Sequence, residues 1–459
     1  MSSLQAVNEA TPVATWDTQE DLPKVAYGQG CYVVDQDGKR YIDGSGGPSV
    51  FCLGHGHPEV NAAIKDQLDR IAHGYRYTFS SDPLEELTAM VVESCSSGGP
   101  EGGSGGLKHM TFCSSGSEAI ESCLKIALQY HVALGEPGRC RFIARERSWH
   151  GNTLGALSIS GFLDRRSAFE GALPQASLLS PANAYRPPTG IFPEDVAAFC
   201  AQELENEIQR LGAERVAAFV FEPVVGAAGG CVPAPPGYAK RVREICDRHG
   251  VLMIADEVMC GAGRTGTWRA LQHDGVEPDI MAVAKGLAGG YVPLSAAIYH
   301  ERLRDPMYQR FGGLLTGHTF TGHTLGCAAG VAVQKIIRRG NLLEAVRENG
   351  LLLKRMLSDA LGDKHYVGDI RGRGYFVGLE IVADRATKQP YPRDRMIHRK
   401  IGAQTMANGL ICYPVGGNVD GKSGDIVIIS PPYIATREEL VEIVEKLVKS
   451  LGQVMADIV

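Results

Sequence analysis

The sequence predicts an α/β protein in which a mainly parallel sheet is covered by helices on both faces and joined to a smaller α+β part. Three observations carry this. Between Lys108 and Val283, short apolar runs alternate with amphipathic stretches: Val216 to Phe221, a helix from Tyr238 to His249, Val251 to Ala255, then Ile280 to Ala284. After Gly330 helical spacing continues to Leu361, strand-like runs follow at Tyr375 to Val382 and Asp425 to Ile429, and a helix spans Glu438 to Leu451. Finally, 459 residues exceed what one small core organises, so a large and a smaller domain are expected. The expected division is an N-terminal segment over 1–60 packing with the small domain, a large domain over 61–335, and the small domain over 336–459.

In chain order, Gly30 to Asp43 reads as a hairpin turning at Asp37-Gly38. Gly54-His55-Gly56-His57-Pro58 reads as a glycine turn feeding a helix with Val60, Ile64, Leu68 and Ile71 on its apolar face. A metal held by the two histidines is the alternative there. Ser96 to Gly106, rich in Gly and Ser around Pro100, reads as a flexible surface loop.

Composition narrows the function classes. A net charge of −6, 44% hydrophobic and 21% charged residues suit a globular enzyme, without the basic stripe of a nucleic-acid binder. Met1 to Asp21 is polar and mixed, and no apolar stretch approaches the ~20 residues of a membrane span, so a cytoplasmic protein is expected. The 12 cysteines are scattered from Cys31 to Cys412 with no Cys-x-x-Cys pair, so neither a disulfide framework nor a metal is expected.

Three stretches carry chemistry. In Asp279-Ile-Met-Ala-Val-Ala-Lys285-Gly286, a lysine ends a buried strand, where a charged amine is costly unless used. Deprotonated in an apolar setting it attacks an aldehyde and forms an imine; snorkelling at the sheet edge is the alternative. Val251-Leu-Met-Ile-Ala-Asp256-Glu257-Val258 ends another strand in carboxylates, which either pair with a protonated pyridine nitrogen or cap the next turn. Ser115-Gly116-Ser117-Glu118 opens a helix whose first N–H groups suit a phosphate, or form a plain N-cap. All three fall at the edge of one sheet where strands end.

With these stretches in hand, the sequence resembles the class III (omega) aminotransferases, pyridoxal-phosphate enzymes of fold type I, from Gly30 to about Ile434. The resemblance rests on Ser-Gly-Ser-Glu-Ala at 115 to 119, Trp149-His150-Gly151, Glu222-Pro223, Asp256-Glu257-Val258, Gly263-Arg264-Thr265-Gly266, Ala284-Lys285-Gly286 and Arg371-Gly372-Arg373-Gly374. It implies a seven-stranded-type sheet and transfer of an amino group, in two half-reactions, from an amine, omega-amino acid or diamino acid to pyruvate or 2-oxoglutarate. It implies that Lys285 carries the cofactor as a Schiff base and moves the proton, with Asp256 on the pyridine N–H. Val258 and Trp149 would cover the ring faces, Trp149 standing where the family has Tyr or Phe. Ser115, Gly116 and Ser117 would hold the phosphate, and Glu222 would lie among the cofactor-binding residues and pair with Arg371 when no acid is bound. Thr319 would reach the phosphate of the neighbouring subunit, which makes the unit a homodimer or a tetramer. Thr324 stands where the family has proline, so Thr321 is the alternative. Arg371 would grip a substrate carboxylate, and Tyr75, Tyr77, Phe79 and Phe51 would wall the substrate pocket or serve as core or interface aromatics.

Rival readings are a decarboxylase, racemase or aminomutase on the same cofactor, and a non-catalytic binding protein on the same fold. A further rival is a dinucleotide-dependent oxidoreductase built on Gly261-x-Gly263-x-x-Gly266, with Asp279 downstream. Against that last reading, Asp256-Glu257-Val258 separates strand from glycines and Thr265-Gly266-Thr267-Trp268 opens no amphipathic helix.

Overall fold

The computed structural model describes residues 22–96 and 106–458. Most of the predicted loop at Ser96 to Gly106 lies outside the described residues, as does the polar segment at 1–21.

Seven strands form the central sheet in the order Leu107–Cys113, Ser295–His300, Ile280–Val283, Leu252–Asp256, Val216–Phe221, Arg141–Arg145, Ser177–Leu179. All run parallel except Ser295–His300, which is antiparallel to both neighbours. Every residue of Val216–Phe221, Leu252–Asp256 and Ile280–Val283 is buried, because helices cover both faces. The pleat sorts the side chains with period two. Phe219, Phe221, Met253, Ala255, Met281 and Val283 pack on one side, with residues of helices Val196–Leu211 and Tyr238–His249. Ala218, Val220, Leu252, Ile254, Ile280 and Ala282 pack on the other, against helix Gly116–Ala133. Helix Tyr238–His249 keeps its predicted bounds because Gly237 and Gly250, both left-handed, close its two ends.

The predicted hairpin is present as Tyr32–Asp35 and Arg40–Asp43, and Val25–Gln29 extends it. Asp35 Oδ1 accepts from the N–H groups of Asp37 and Lys39, which locks the turn. Leu410–Ile411 joins this sheet from far along the chain, parallel to Arg40–Asp43. A second four-stranded sheet, all antiparallel, runs Val367–Arg373, Phe376–Ile381, Asp425–Ile429, Tyr413–Gly416. One apolar cluster unites Cys31, Ile42 and Leu53 with Leu379, Val427 and Leu447, so the first and last parts of the chain share a core. Helix Thr324–Arg339 serves both cores, with Cys327 and Val331 turned to one and Val333, Ile336 and Ile337 to the other.

Arg264 binds these parts together. Its buried guanidinium donates to the carbonyls of Ser430 (3.0 Å), Pro431 (2.6 Å) and Ser49 (3.4 Å), and lies 4.7 Å from the Tyr433 ring centroid. The glycines of its loop do packing work. A Cβ on Gly263 would meet Leu343 Cδ2 at 2.5 Å, and one on Gly266 would meet Arg347 Cγ at 2.4 Å.

Several local expectations are corrected. Leu68 and Ile71 are exposed; the helix, Pro58–Arg70, buries Val60 as expected, packs the partly buried Ile64 on the core, and buries Gln67 in addition. His55 Nε2 lies 2.9 Å from Asp43 Oδ2, while the backbone N–H of His57 donates to Tyr291 OH. Each histidine segment is thus tied separately into the fold. Among the described residues no helix is long and apolar enough to cross a membrane.

Candidate active site

Strand Ile280–Val283 stops where Lys285 enters the left-handed region at φ 45°, which a side-chain-bearing residue adopts only when its surroundings enforce it. The enforcement is visible behind it. Gln334 Nε2 donates to the carbonyls of Gly286 (3.2 Å) and Leu287 (3.0 Å) and is itself oriented by Trp268 Nε1 (3.0 Å to Gln334 Oε1). The lysine side chain turns into a cavity of about 380 Å³, where its Nζ donates to the Pro48 carbonyl at 2.9 Å. Burial lowers this amine to about 8; Arg264 and Arg165 add to the lowering, and the charges of Asp256 and Glu222 oppose it.

Asp256 ends the neighbouring strand in the same cavity. Its Oδ2 lies 2.7 Å from His150 Nδ1, and its Oδ1 accepts from the Val258 N–H at 3.0 Å. A carboxylate offers about four lone-pair sites, so two remain for a donor in the cavity. His150 Nε2 is buried beside them with no hydrogen-bond partner among the described residues. Glu222 Oε1 accepts from the Trp149 N–H (2.9 Å) and Oε2 from the Gly226 N–H (2.7 Å). Burial pushes its carboxyl up to about 7, with Asp256 adding to the rise against His150 and the two N–H groups.

A third strand end supplies an anion cradle. Leu107–Cys113 leads into helix Gly116–Ala133, with Ser115 as N-cap accepting from the Glu118 N–H at 3.2 Å. Ser117 Oγ accepts from the Asn152 N–H at 2.9 Å, which leaves its own proton to donate. The backbone is tightly fitted. A Cβ on Gly116 would sit 3.0 Å from Val258 Cγ1, and one on Gly151, at φ 141°, would sit 2.6 Å from Ser117 Oγ. Ser115, Gly116, Ser117, Trp149, Glu222, Asp256, Val258 and Lys285 thus line one cavity.

Other sequence-derived candidates lie elsewhere. Phe51 stands behind the cavity wall, where a Cβ on the lining residue Gly290 would meet its ring at 2.5 Å. Tyr75, Tyr77 and Phe79 are exposed on the single chain, away from the cavity lining. Thr319 is exposed, whereas Thr321 is buried with its Oγ1 accepting from the His318 N–H. Arg371 does not line the cavity and does not pair with Glu222. Its guanidinium is buried and donates to Gly229 O (2.6 Å), Gly230 O (2.8 Å), Asp369 (3.0 Å) and Glu380 (2.7 Å). Glu380 lies on the adjoining strand, wholly buried, and pairs with the arginine, while Glu222 is taken up by the N–H groups of Trp149 and Gly226. Sequence reasoning passed over His150. Its ring nitrogen meets Asp256 from more than a hundred residues away, a pairing that the sequence pattern does not reveal.

An amine lowered by burial, an acid with free lone pairs and a helix N-terminus, all at the C-terminal edge of one sheet, suit a pyridoxal-phosphate enzyme of fold type I. The profile described as "Aminotransferase class-III" matches residues 16–451, and the chain belongs to that family. It is 42% identical to an uncharacterized aminotransferase of Schizosaccharomyces pombe over 439 residues, 95% of this chain and 93% of that one. It is 33% identical to diaminobutyrate–2-oxoglutarate transaminase of Halomonas elongata, over 93% of this chain and 89% of that one. The fold superposes with a TM-score of 0.87 on an amine transaminase from an uncultivated Pseudomonas species in its pyridoxal-phosphate-bound form, at 31% identity over 98% of this chain and 99% of that one. The protein is a pyridoxal-phosphate-dependent aminotransferase.

Proposed function

We propose that the chain moves an amino group from an amine, omega-amino acid or diamino acid donor to a keto acid, pyruvate or 2-oxoglutarate, in two half-reactions through Lys285. The observation that carries this reading is the lowered amine of Lys285 in one cavity with Asp256 and Glu222. Donor classes are supported by relatives that act on diaminobutyrate and on amines.

Pyridoxal phosphate, when bound, supplies an aldehyde carbon and a ring that draws electrons from the amine-bearing carbon. The protein does the rest. Ser115, Gly116 and Ser117 hold the phosphate on the N-terminus of helix Gly116–Ala133. Asp256 accepts an N–H at the cavity floor and keeps that nitrogen protonated, while His150 fixes the carboxylate's orientation. Val258 and Trp149 confine the ring between them. Lys285 Nζ, with its lowered amine in the cavity, would be the residue that anchors the cofactor through its aldehyde carbon. The freed amine then removes the proton from the donor's amine-bearing carbon and later returns one to the acceptor carbon.

The working unit of this reading is a homodimer, with Thr319 of one subunit reaching the phosphate site of the other. Tyr75 (48% exposed), Tyr77 (63%), Phe79 (65%), Leu315 (69%) and Phe320 (55%) support it, an apolar set too large to leave in water. The Leu325 N–H donates to Ala72 O and the Gly74 N–H to Thr324 Oγ1, which joins the two segments that bear these side chains. The reading takes residues 61–335 as the cofactor-binding domain and 336–459, with 1–60, as the small domain, in a cytoplasmic enzyme. A donor panel run against pyruvate and 2-oxoglutarate, following keto-acid consumption and the cofactor's absorption, tests it. A chain that consumes neither keto acid with any donor ends it.

A further inference from the structure

A keto-acid acceptor brings a carboxylate into a cavity that already holds Asp256 and Glu222, so something cationic must receive it. Lys285 is engaged at the reacting carbon. Arg371 has its guanidinium committed to two carbonyls and two carboxylates. Arg264 is spent on backbone carbonyls, and Arg166 on Glu170, Ser158 and Ser160.

Arg165 differs from all of these. It sits in the short helix Leu163–Arg166, half-buried, with its guanidinium 4.7 Å from the centroid of Trp149 and 4.9 Å from that of Phe162. Its guanidinium makes no ion pair and no hydrogen bond among the described residues. Trp149 lines the cavity and Arg165 stands directly behind it, outside the lining, close enough for its charge to help lower the Lys285 amine. Contact with the two ring faces, which stand at 88° to each other, uses none of the guanidinium's N–H groups, so these stay free for the two parallel bonds that a carboxylate accepts.

We propose that Arg165 is the residue that binds the carboxylate of the keto-acid acceptor, held ready by Trp149 and Phe162. This rests on the reading of a keto acid as acceptor. It assigns specificity to a residue in the short helix that follows the Trp149 loop and leaves Arg371 to hold Glu380 and the Gly229–Gly230 turn.

The test uses the holoenzyme of the wild type, Arg165→Leu and Arg165→Lys. In the second half-reaction the aminated enzyme is titrated with pyruvate, with 2-oxoglutarate and with butanal, an acceptor without a carboxylate. Separately, binding of the unreactive acids propionate and glutarate is followed by the shift of the cofactor's absorption band. A charged hydrogen-bonded pair implies that Arg165→Leu weakens both keto acids and both unreactive acids about tenfold or more while butanal stays within about twofold. Arg165→Lys restores part of the loss. Equal losses for butanal and pyruvate would mean that Arg165 only supports Trp149, and would overturn the assignment. So would unchanged acid binding in Arg165→Leu, or a carboxylate-selective loss found in Arg371→Leu and not in Arg165→Leu. A wild type that binds propionate through Arg165 yet aminates no keto acid would instead end the reading of the acceptor and leave the carboxylate site standing.

Discussion

His150 Nδ1 stands 2.7 Å from Asp256 Oδ2, with both side chains buried in the cavity floor. The pair leaves Asp256 one orientation in which its remaining lone pairs face the cavity. Replacing His150 by Phe removes a hydrogen bond to a charged group, worth ~1.5–3 kcal/mol, so cofactor affinity and kcat together should fall by roughly 10- to 100-fold. Absorbance titration with pyridoxal phosphate and steady-state rates measure the two. Unchanged values for both would show that Asp256 needs no orienting partner.

Lys285→Ala should retain the fold and bind cofactor without a covalent link, while the rate drops by at least the roughly 10²–10⁴-fold typical of a lost acid–base group. Borohydride reduction followed by peptide mass analysis checks it. Cofactor fixed by borohydride to the variant would place the covalent anchor elsewhere.

The Lys285 amine is lowered from 10.5 to about 8 by burial. Capture of the aldehyde needs the free amine, so the second-order rate of cofactor uptake should climb with pH and level off above about 8, instead of rising toward 10.5. Between those values the unfolded chain still holds a proton that the native site has lost. That contribution makes the cofactor-free protein more stable as pH rises across the interval. Stopped-flow absorbance and denaturant melts read the two effects.

Glu257 has the opposite sign. Burial raises it from 4.5 to about 7, although the N–H groups of Ala270 and Leu271 and the charge of Arg269 pull the other way. Across that interval the native state holds a proton that the unfolded chain has released, so stability contributed here is lost as pH rises from 4.5 toward 7. In Glu257→Gln that part of the slope, on the order of 3 kcal/mol in total, should disappear from urea denaturation measured across the interval.

If Thr319 crosses to the neighbouring subunit, two defective homodimers can repair each other. Lys285→Ala and Thr319→Asp should each be poorly active, the second through repulsion of the phosphate. Mixed dimers would contain one site with both lesions and one with neither. Refolding the two together should therefore yield activity that neither has alone. Failure of the mixture to gain activity, with dimers verified by sedimentation, would place Thr319 outside the site.

The sheet was legible because its strands are buried on both faces and read as uninterrupted apolar runs, as in Val216–Phe221 and Ile280–Val283. Lys285 and Asp256 stood out through their conjunction, two charged strand ends and a helix start at one sheet edge, since each alone also reads as snorkelling or turn capping. Val25–Gln29 and Leu410–Ile411 were not, because an edge strand and a two-residue strand leave no periodic trace. The surroundings of Arg371 were hidden by distance along the chain, for its partners at Gly229 and Gly230 lie more than a hundred residues away. His150 and Arg165 were hidden differently. A single polar residue in a loop or a four-residue helix takes its meaning from what folds beside it, and pattern alone does not reveal that.

The Arg264 clamp bears on the order in which the enzyme is made. The rim that receives Lys285 Nζ, at Pro48, is held through Ser49 by an arginine that also donates to the carbonyls of Tyr375, Ser430 and Pro431, the last two 166 and 167 residues further on. A ribosome that has delivered the whole seven-stranded sheet has still not delivered those carbonyls. The rim of the pocket is therefore complete only once the last part of the chain has been made. A chain lacking Ser430 and Pro431 would leave the rim at Pro48 without its clamp.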